Sequence, residues 1–178
     1  MSELPTIRRY LDVVSTPNVE SEIDAIFFES SNTKSFESDA QRATFRERWL
    51  GRYLKHDPRF AYLAFVGGDI VGYLVGAIDD PALAPRFADI DYFAALKDVT
   101  SAFPAHLHVN IAAAFRNRGI GGQLIERFAG DAKAAGVPGV HVVTSAGATN
   151  VGFYNRNGFL ETARTGKSGQ LVVLGRRL

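Results

Sequence analysis

The chain has 178 residues, of which 46% are hydrophobic, and it carries 20 basic and 19 acidic side chains. This length and apolar content predict a single domain over residues 1–178 with one sizeable core. A formal charge of +1 gives no global attraction to nucleic acid or to an anionic membrane, so we expect neither as a partner. The lack of cysteine excludes disulfides and a cysteine nucleophile, and it fits a reducing compartment.

No apolar run approaches the roughly 20 residues that are needed to span a bilayer. The first residues, MSELPTIRRYL, contain no signal-peptide core. We therefore expect a cytoplasmic protein.

The first third of the chain predicts a strand, a helix and a loop. Residues 6–13 alternate weakly and are rich in β-branched and aromatic side chains, which predicts the strand. Asn18 is expected to cap a helix that runs through Phe28. Residues 30–42 are polar and rich in hydroxyl groups, which predicts the loop.

A helix and a hairpin are expected next. Residues 43–55 place apolar side chains on one stripe of a helix, and we interpret Trp49 within that stripe as a core residue. Residues 60–66 and 70–78 are apolar runs on either side of a Gly-Gly-Asp turn, which predicts a β-hairpin. The two aspartates that precede Pro81 are interpreted as a turn rather than as a metal site.

The stretch over residues 104–136 joins an alternating segment to a helical run through a glycine-rich loop. Residues 106–111 predict a strand, and its side chains alternate between two faces. One face carries Leu107, Val109 and Ile111, and the other carries His106, His108 and Asn110. The helix that follows ends at Gly136, and residues 139–145 predict a buried strand. A parallel strand, helix, strand unit is therefore the expected core of the fold.

The loop between this strand and this helix has the composition of a phosphate-binding turn. It consists of Arg116, Asn117, Arg118, Gly119, Ile120, Gly121 and Gly122. Free N–H groups and the helix dipole favour an anion at a helix start, and glycines let a pyrophosphate approach the backbone. The arginines add charge and fork-shaped donors. The spacing fits neither a Walker loop nor the dinucleotide fingerprint, and a plain helix-capping turn is the alternative.

The last elements are short. A helix over residues 148–157 is expected to end at Gly158, which suits a left-handed C-cap. Residues 160–165 and 171–174 predict two final strands.

Three separated features resemble the GCN5-related N-acetyltransferase (GNAT) superfamily. They are the R-x-x-G-x-G pattern at Arg116, Gly119 and Gly121, the FYNRNGF segment over residues 153–159, and the final strand pair. The resemblance implies an α/β GNAT fold, in which helices flank a mixed central sheet of about six to seven strands. It also implies a splayed parallel strand pair that binds CoA, and acetyl-CoA as the acyl donor.

A closer resemblance is to the acetyltransferase-like domain of O-GlcNAcases and its free-standing bacterial relatives. It is carried by FPAHLHVNI, GFYNRNGF and LVVLGRRL, and it covers roughly residues 60–178. Eukaryotic members of that branch are thought to have lost activity. Two functions therefore stay open. The first is an N-acetyltransferase that transfers an acetyl group to a primary amine by direct attack, and the second is a catalytically silent acyl-CoA-binding or regulatory module.

The resemblance also implies roles for individual residues. The backbone of Val109, Asn110 and Ile111 would pair with the pantetheine arm, and a backbone N–H there would polarise the thioester carbonyl. Residues 116–122 would hold the polyphosphate. Tyr154 would donate a proton to the thiolate as it leaves.

The chain departs from the family pattern at two positions. Gly147 stands where many members have a cofactor-binding asparagine, and Asn150, one helical turn from Tyr154, is the candidate substitute. Asn110 stands where some relatives have a carboxylate, and an amide cannot accept the proton of an ammonium group. His108 is therefore the candidate general base, with a buried structural histidine as the alternative. No metal site is expected, because the strand histidines lack a convincing third ligand.

The acceptor cannot be identified from the sequence, and a small-molecule amine, a polyamine, an amino sugar and a protein N-terminus all stay open. Its site is expected to involve the amino-terminal helices and residues 79–103. The final strand is suited to pairing across a homodimer, although nothing in the sequence determines the oligomeric state.

Overall fold

The computed structural model describes residues 4–178. Over that range the strands are β1 (Thr6–Arg9), β2 (Ala61–Val66), β3 (Asp69–Ala77), β4 (Ala105–Ile111), β5 (Gly139–Ser145), β6 (Leu160–Thr165) and β7 (Leu171–Arg177). The helices are α1 (Val19–Ser30), α2 (Asp39–Arg46), α3 (Arg52–His56), α4 (Tyr92–Ala95), α5 (Lys97–Ala102), α6 (Ile120–Ala134) and α7 (Asn150–Arg156). Of the helices in this range, none combines the length and the apolar character that a bilayer span requires.

The described strands form one mixed sheet in the order β1-β2-β3-β4-β5-β7-β6. β1 pairs antiparallel with β2, and β2 with β3. β4 and β5 are parallel, with Ala105 opposite Val140 and His106 opposite His141. β7 pairs antiparallel with both β5 and β6. This arrangement confirms the predicted mixed sheet and its parallel strand pair.

The chain packs as two compact units, which consist of residues 4–76 with 108–128 and of residues 77–107 with 129–178. The prediction of one domain over residues 1–178 stays a prediction. The core of the first unit contains large side chains that are almost fully buried, including Ile23, Leu50, Tyr53, Tyr62, Leu63, Tyr73, Leu74, Leu124, Ile125 and Phe128. The core of the second unit is built in the same way around Phe87, Phe159, Val140, Val173 and Leu174.

The long helix of the first unit begins four residues earlier than the sequence pattern predicted. Its first residue is Asp39, because Ser38 accepts a hydrogen bond from the Gln41 N–H over 3.1 Å. The Gln41 side chain in turn accepts from the Glu37 N–H over 2.7 Å. This exchange resembles a capping box, and the Ser-x-x-Gln spacing at residues 38–41 was the sequence signal for it.

A π-turn at Glu47–Gly51 joins α2 to α3. The Arg52 N–H donates to the Glu47 carbonyl, five residues earlier in the chain. The single predicted helix over residues 43–55 therefore contains one widened turn, which a periodic apolar stripe does not reveal.

Two amino-terminal predictions were wrong in detail. β1 is shorter than predicted, because the chain turns at Tyr10–Asp12, where the buried Tyr10 donates to Glu20 over 3.1 Å. Asn18 precedes α1 as predicted, but its side chain makes no capping bond, and its φ of 69° is left-handed. Asparagine tolerates that conformation better than most residues do.

The elements of the second unit agree closely with the sequence. β5 and β6 have the predicted bounds, while β7 extends three residues further, to Arg177. The aspartates before Pro81 form a turn as predicted. Asp79 is bound by Arg86 at 2.6 and 2.7 Å, and the Asp80 carboxylate accepts from the Ala82 N–H over 2.9 Å.

Candidate active site

The glycine loop of the first unit has the geometry of an anion site. The Gln123 N–H donates to the Gly119 carbonyl over 3.2 Å, so Gly119 is the residue on which α6 begins. In such a helix the N–H groups of the first turn have no carbonyl one turn earlier to bind. Gly119 has a φ of 77°, and a Cβ placed on it would meet no atom within 4 Å. Residues 116–119 of the loop are exposed, whereas Ile120 and Gly121, which begin this helix of 15 residues, are buried and Gly122 is half-buried. The positive end of the helix therefore lies directly behind an exposed loop.

Both loop arginines contact the protein itself. Arg116 donates to the Ile111 carbonyl over 2.9 Å and to the Ser30 hydroxyl over 3.3 Å. Arg118 donates to the Ala114 carbonyl over 2.9 Å. Arg116 thus fixes the end of β4 against the end of α1, a role that the sequence did not indicate. Its predicted contact with phosphate stays a prediction.

A cavity of about 290 Å³ lies beside the end of β4, within the first unit. Its lining consists of Phe27, Phe45, Trp49, residues 30–33 and Asn110. Trp49 had been interpreted as a core residue, but its side chain is half-buried and faces this cavity. Residues 30–33, at the end of α1 and the start of the predicted loop, carry no sequence signal that distinguishes a cavity rim from a plain loop.

His108 lies under the aromatic residues of the long helix. Its Nε2 is 3.2 Å from the Tyr53 hydroxyl, and its ring meets the Trp49 ring edge to face, with centroids 5.6 Å apart. His108 is half-buried, whereas Tyr53 is 1% exposed. Because Trp49 contacts His108 and also lines the cavity with Asn110, the two β4 residues share the face that the alternation predicted.

Asn110 is held by a tyrosine. Its Nδ2 donates to the Tyr73 hydroxyl over 2.7 Å. Burial raises the pKa of Tyr73 well above its ordinary value, so this hydroxyl stays neutral. The bond holds the amide through its nitrogen, and the carbonyl oxygen and the second N–H of Asn110 are its remaining polar groups at the cavity.

Tyr154 belongs to the second unit, where it is 7% exposed. Its ring packs against Phe153 and Phe159, with centroids 5.1 and 5.5 Å away. Burial raises the pKa of Tyr154 above its ordinary value, so the hydroxyl remains protonated near neutral pH and can act as a donor.

Asn150 also belongs to the second unit. Its side-chain carbonyl accepts a hydrogen bond from the Thr144 hydroxyl over 2.9 Å, which ties the start of α7 to β5. Gly147 has a φ of 79°, a left-handed conformation that favours glycine. The role of Asn150 toward a cofactor stays a prediction.

Two buried histidines of the second unit stack on each other. The rings of His106 and His141 lie 5.5 Å apart. His141 donates from Nδ1 to the Phe103 carbonyl over 2.5 Å, and burial lowers its pKa to about 4. His141 is therefore neutral near pH 7. No group of three potential metal ligands occurs among residues 4–178.

The family model of the acetyltransferase (GNAT) family matches residues 21–159, which is well over half of the chain. The chain belongs to the acetyltransferase (GNAT) family. The matched segment contains the glycine loop, β4, the cavity residues and Tyr154, so every predicted site residue of this GNAT protein falls within it. The finer likeness to the O-GlcNAcase domains stays a prediction.

Solved structures share the fold along nearly the whole chain. The structure titled SsHAT has a TM-score of 0.73 and 22% identity, and the match covers 97% of this chain and 98% of that one. The ribosomal-protein-alanine N-acetyltransferase of Brucella melitensis has a TM-score of 0.62 and 20% identity, with 97% and 99% covered. A chain of the NatC complex bound to Gag peptide and CoA has a TM-score of 0.64 and 11% identity, with 100% and 99% covered. At these identities the likeness shows the fold.

The loop geometry fits the polyphosphate of a CoA ester. A Cβ-free position with a left-handed φ stands at the start of α6, and the surrounding loop is exposed. Residues 116–122 would hold the phosphates through backbone N–H groups. Residues 109–111 are half-buried at the end of β4, and their backbone would hold the pantetheine arm. When bound, acetyl-CoA supplies an activated acyl carbon.

Proposed function

We propose that this GNAT protein is an acetyl-CoA-dependent N-acetyltransferase that acts on a primary amine by direct attack. The observation that carries the proposal is the start of α6. There, the N–H groups of a helix start, an exposed and left-handed Gly119 and two arginines are combined with a neighbouring cavity that is lined by the Asn110 amide, which is bonded to Tyr73. The first part suits a polyphosphate, and the second suits a small acceptor next to the end of β4.

The chain supplies three further functions for this reaction. Residues 109–111 offer backbone groups that can orient the acyl donor and polarise its carbonyl oxygen. His108 is the proposed group that takes a proton from the acceptor ammonium, directly or through water. Tyr154 is the proposed donor to the sulfur that leaves, because its buried hydroxyl keeps its proton. No covalent intermediate with the protein is needed, in accord with the lack of cysteine.

The second candidate is a silent acyl-CoA-binding or regulatory module of the same fold. The observation that favours it is Asn110, which stands where some relatives have a carboxylate and whose amide is already engaged by Tyr73. This candidate would also follow from a close relationship to the O-GlcNAcase-associated domains. It predicts that CoA esters bind without turnover.

The test is a calorimetric titration with acetyl-CoA and with free CoA, followed by a thiol-release assay against a panel of amines in the same samples. Binding with amine-dependent thiol release is the expected result. Binding without release from any amine would favour the silent module. If neither CoA compound bound, the interpretation of the glycine loop would be wrong.

Tyr154→Phe is expected to lower kcat by about a hundredfold while the Kd for acetyl-CoA changes less than about twofold, since only the acid is removed. Tyr92→Phe is the matched control, because Tyr92 is another tyrosine of the second unit whose pKa burial raises. The role of Tyr154 as an acid would be refuted by equal turnover in Tyr154→Phe and the wild type. Steady-state thiol release and calorimetry give the two readouts.

A further inference from the structure

The cavity beside Asn110 is aromatic and uncharged. Three of its sides are the rings of Phe27, Phe45 and Trp49, and its polar rim consists of residues 30–33 and Asn110. Every one of these lining side chains is neutral. Its volume of about 290 Å³ is just below the range of small-molecule sites, which is about 300–1,000 Å³, and so suits a small ligand.

Contacts between aromatic rings hold the rim of the cavity in place. Phe36, which lies in the same loop as residues 31–33, packs against Phe28 at 6.0 Å and against Phe45 at 5.4 Å between ring centroids. Phe45 also packs against Phe27 at 5.5 Å. The ring surface is therefore held in place before any ligand arrives, which reduces the entropy cost of binding a flat group.

The charges around the cavity do not suit a polycation. The nearby carboxylate of Asp24 is bound by Arg46 at 2.7 and 2.8 Å. The Glu29 carboxylate accepts from the Ala113 N–H over 3.0 Å. Cations lie close by, since Lys34 directly follows the rim and Arg42 covers the Phe28 ring at 3.6 Å. Among the described residues that line the cavity there is no carboxylate with which a second ammonium group of the acceptor could pair.

We propose that the acceptor is a small monoamine with an aromatic body, whose ring is received by Phe27, Phe45 and Trp49 and whose nitrogen is directed to the carbonyl oxygen of Asn110. The inference rests on the proposed function. In the reaction a C–N bond forms to the acetyl carbon and the C–S bond breaks, with its electron pair staying on sulfur. The acceptor ammonium loses two protons, of which one ends on sulfur and the other in solvent.

The sequence contains a single tryptophan, Trp49, so tryptophan fluorescence reports on this cavity and on the neighbouring His108. Titration of the wild-type protein with 2-phenylethylamine is expected to change the emission saturably, at concentrations about tenfold below those required for butylamine or spermidine. Equal or weaker binding of 2-phenylethylamine than of either comparison amine would overturn the proposal. This readout does not depend on turnover.

Two substitutions sharpen the test. Phe45→Ala is expected to weaken the binding of 2-phenylethylamine about tenfold. The control is Leu160→Ala, at a residue of β6 that is 69% exposed, which should leave this affinity unchanged. Asn32→Asp adds a carboxylate at an exposed rim position, where folding is not at risk. It is expected to shift the preference about fivefold toward spermidine. No shift with Asn32→Asp would count against the placement of the amine in this cavity.

Thiol release with the same amines tests the proposed acceptor separately from the proposed acetyltransferase activity. Faster release with 2-phenylethylamine than with spermidine or an alanyl peptide supports both proposals. Release that is fastest with spermidine or the peptide would overturn the acceptor class and leave the acetyltransferase standing. If no amine gave release and acetyl-CoA did not bind, the proposed function would fail, while the fluorescence ranking would still decide what the cavity accepts.

Discussion

At the scale of single residues, the proposed reaction requires a group that takes the proton of the acceptor. Asn110 cannot, because an amide has no basic site at neutral pH. His108 lies on the same face of β4, next to Trp49 and Tyr53. Its contact with the Tyr53 hydroxyl supports a proton path as well as a purely structural role, and only a kinetic experiment separates the two.

His108→Asn is expected to lower kcat/KM by about a hundredfold and to remove the acidic limb of its pH profile, because the group that must lose its proton is gone. The Kd for acetyl-CoA should change little. His56→Asn, at an exposed histidine of α3, is the matched control and should keep the profile of the wild type. If the His108 variant kept the acidic limb, the role of His108 would be structural rather than that of a base. The measurement is kcat/KM by thiol release across pH.

At the scale of elements, α6 does two different things along its length. The left-handed Gly119 directly before its first turn is exposed, whereas its apolar stripe, from Leu124 to Ala132, is buried. The helix contains another glycine, Gly130, which is exposed, and a Cβ added there would meet no atom within 4 Å. Gly119 and Gly130 therefore allow the binding turn to be tested separately from the stability of the helix.

Gly119→Ala is expected to destabilise the fold by about 1 kcal/mol, because an L side chain is strained at a φ of 77°. It is also expected to weaken the binding of acetyl-CoA. Gly130→Ala should stabilise by about 0.8 kcal/mol, because alanine favours a helix interior, and leave the affinity unchanged. Urea denaturation and calorimetry measure the two quantities. Unchanged acetyl-CoA affinity in folded Gly119→Ala would contradict the proposed phosphate site.

The sequence predicted most elements because apolar periodicity and glycine turns are local signals. β5, β6 and the hairpin of β2 and β3 follow from them directly. The start of α2 was missed, because a polar capping segment carries no apolar period. The shortened β1 was missed because burial of Tyr10, a tertiary effect, turned the chain.

The cavity could not be predicted for a different reason. Phe27, Phe45 and Trp49 have the helical spacing of core residues, and pattern alone does not tell a ring that fills a core from a ring that lines a void. The same holds for Arg116, whose bonds to Ile111 and Ser30 depend on where α1 ends in space. The loop motif itself was readable, because backbone access requires glycine in the sequence.

At the scale of the whole molecule, the stacked histidines of the second unit link stability to pH. Burial lowers the pKa of His141 from 6.5 to about 4. Between these values the unfolded chain binds a proton that the folded chain does not, so the free energy of unfolding falls as pH falls from 6.5 to 4 and this contribution then levels off. The neutral form and its bond to Phe103 are fully present above pH 6.5.

His141→Asn is expected to flatten this dependence, by on the order of 3 kcal/mol between pH 7 and pH 4. The asparagine amide can keep the donor to the Phe103 carbonyl. Urea denaturation at several pH values measures the effect, and His56→Asn should retain the slope of the wild type. A slope that is equal in His141→Asn and the wild type would assign the acid sensitivity to other groups.

The π-turn at Glu47–Gly51 makes the cavity sensitive to chain length as well as to composition. A widened turn holds one residue more than an α-helix would, and each residue advances an α-helix by about 100°. Loss of one codon inside this turn would return it to the α-helical repeat, so the flanking helices would keep their facing while the ring of Trp49, inside the turn, would move relative to the cavity. A single deletion would thus change the shape of the cavity without the replacement of any lining residue.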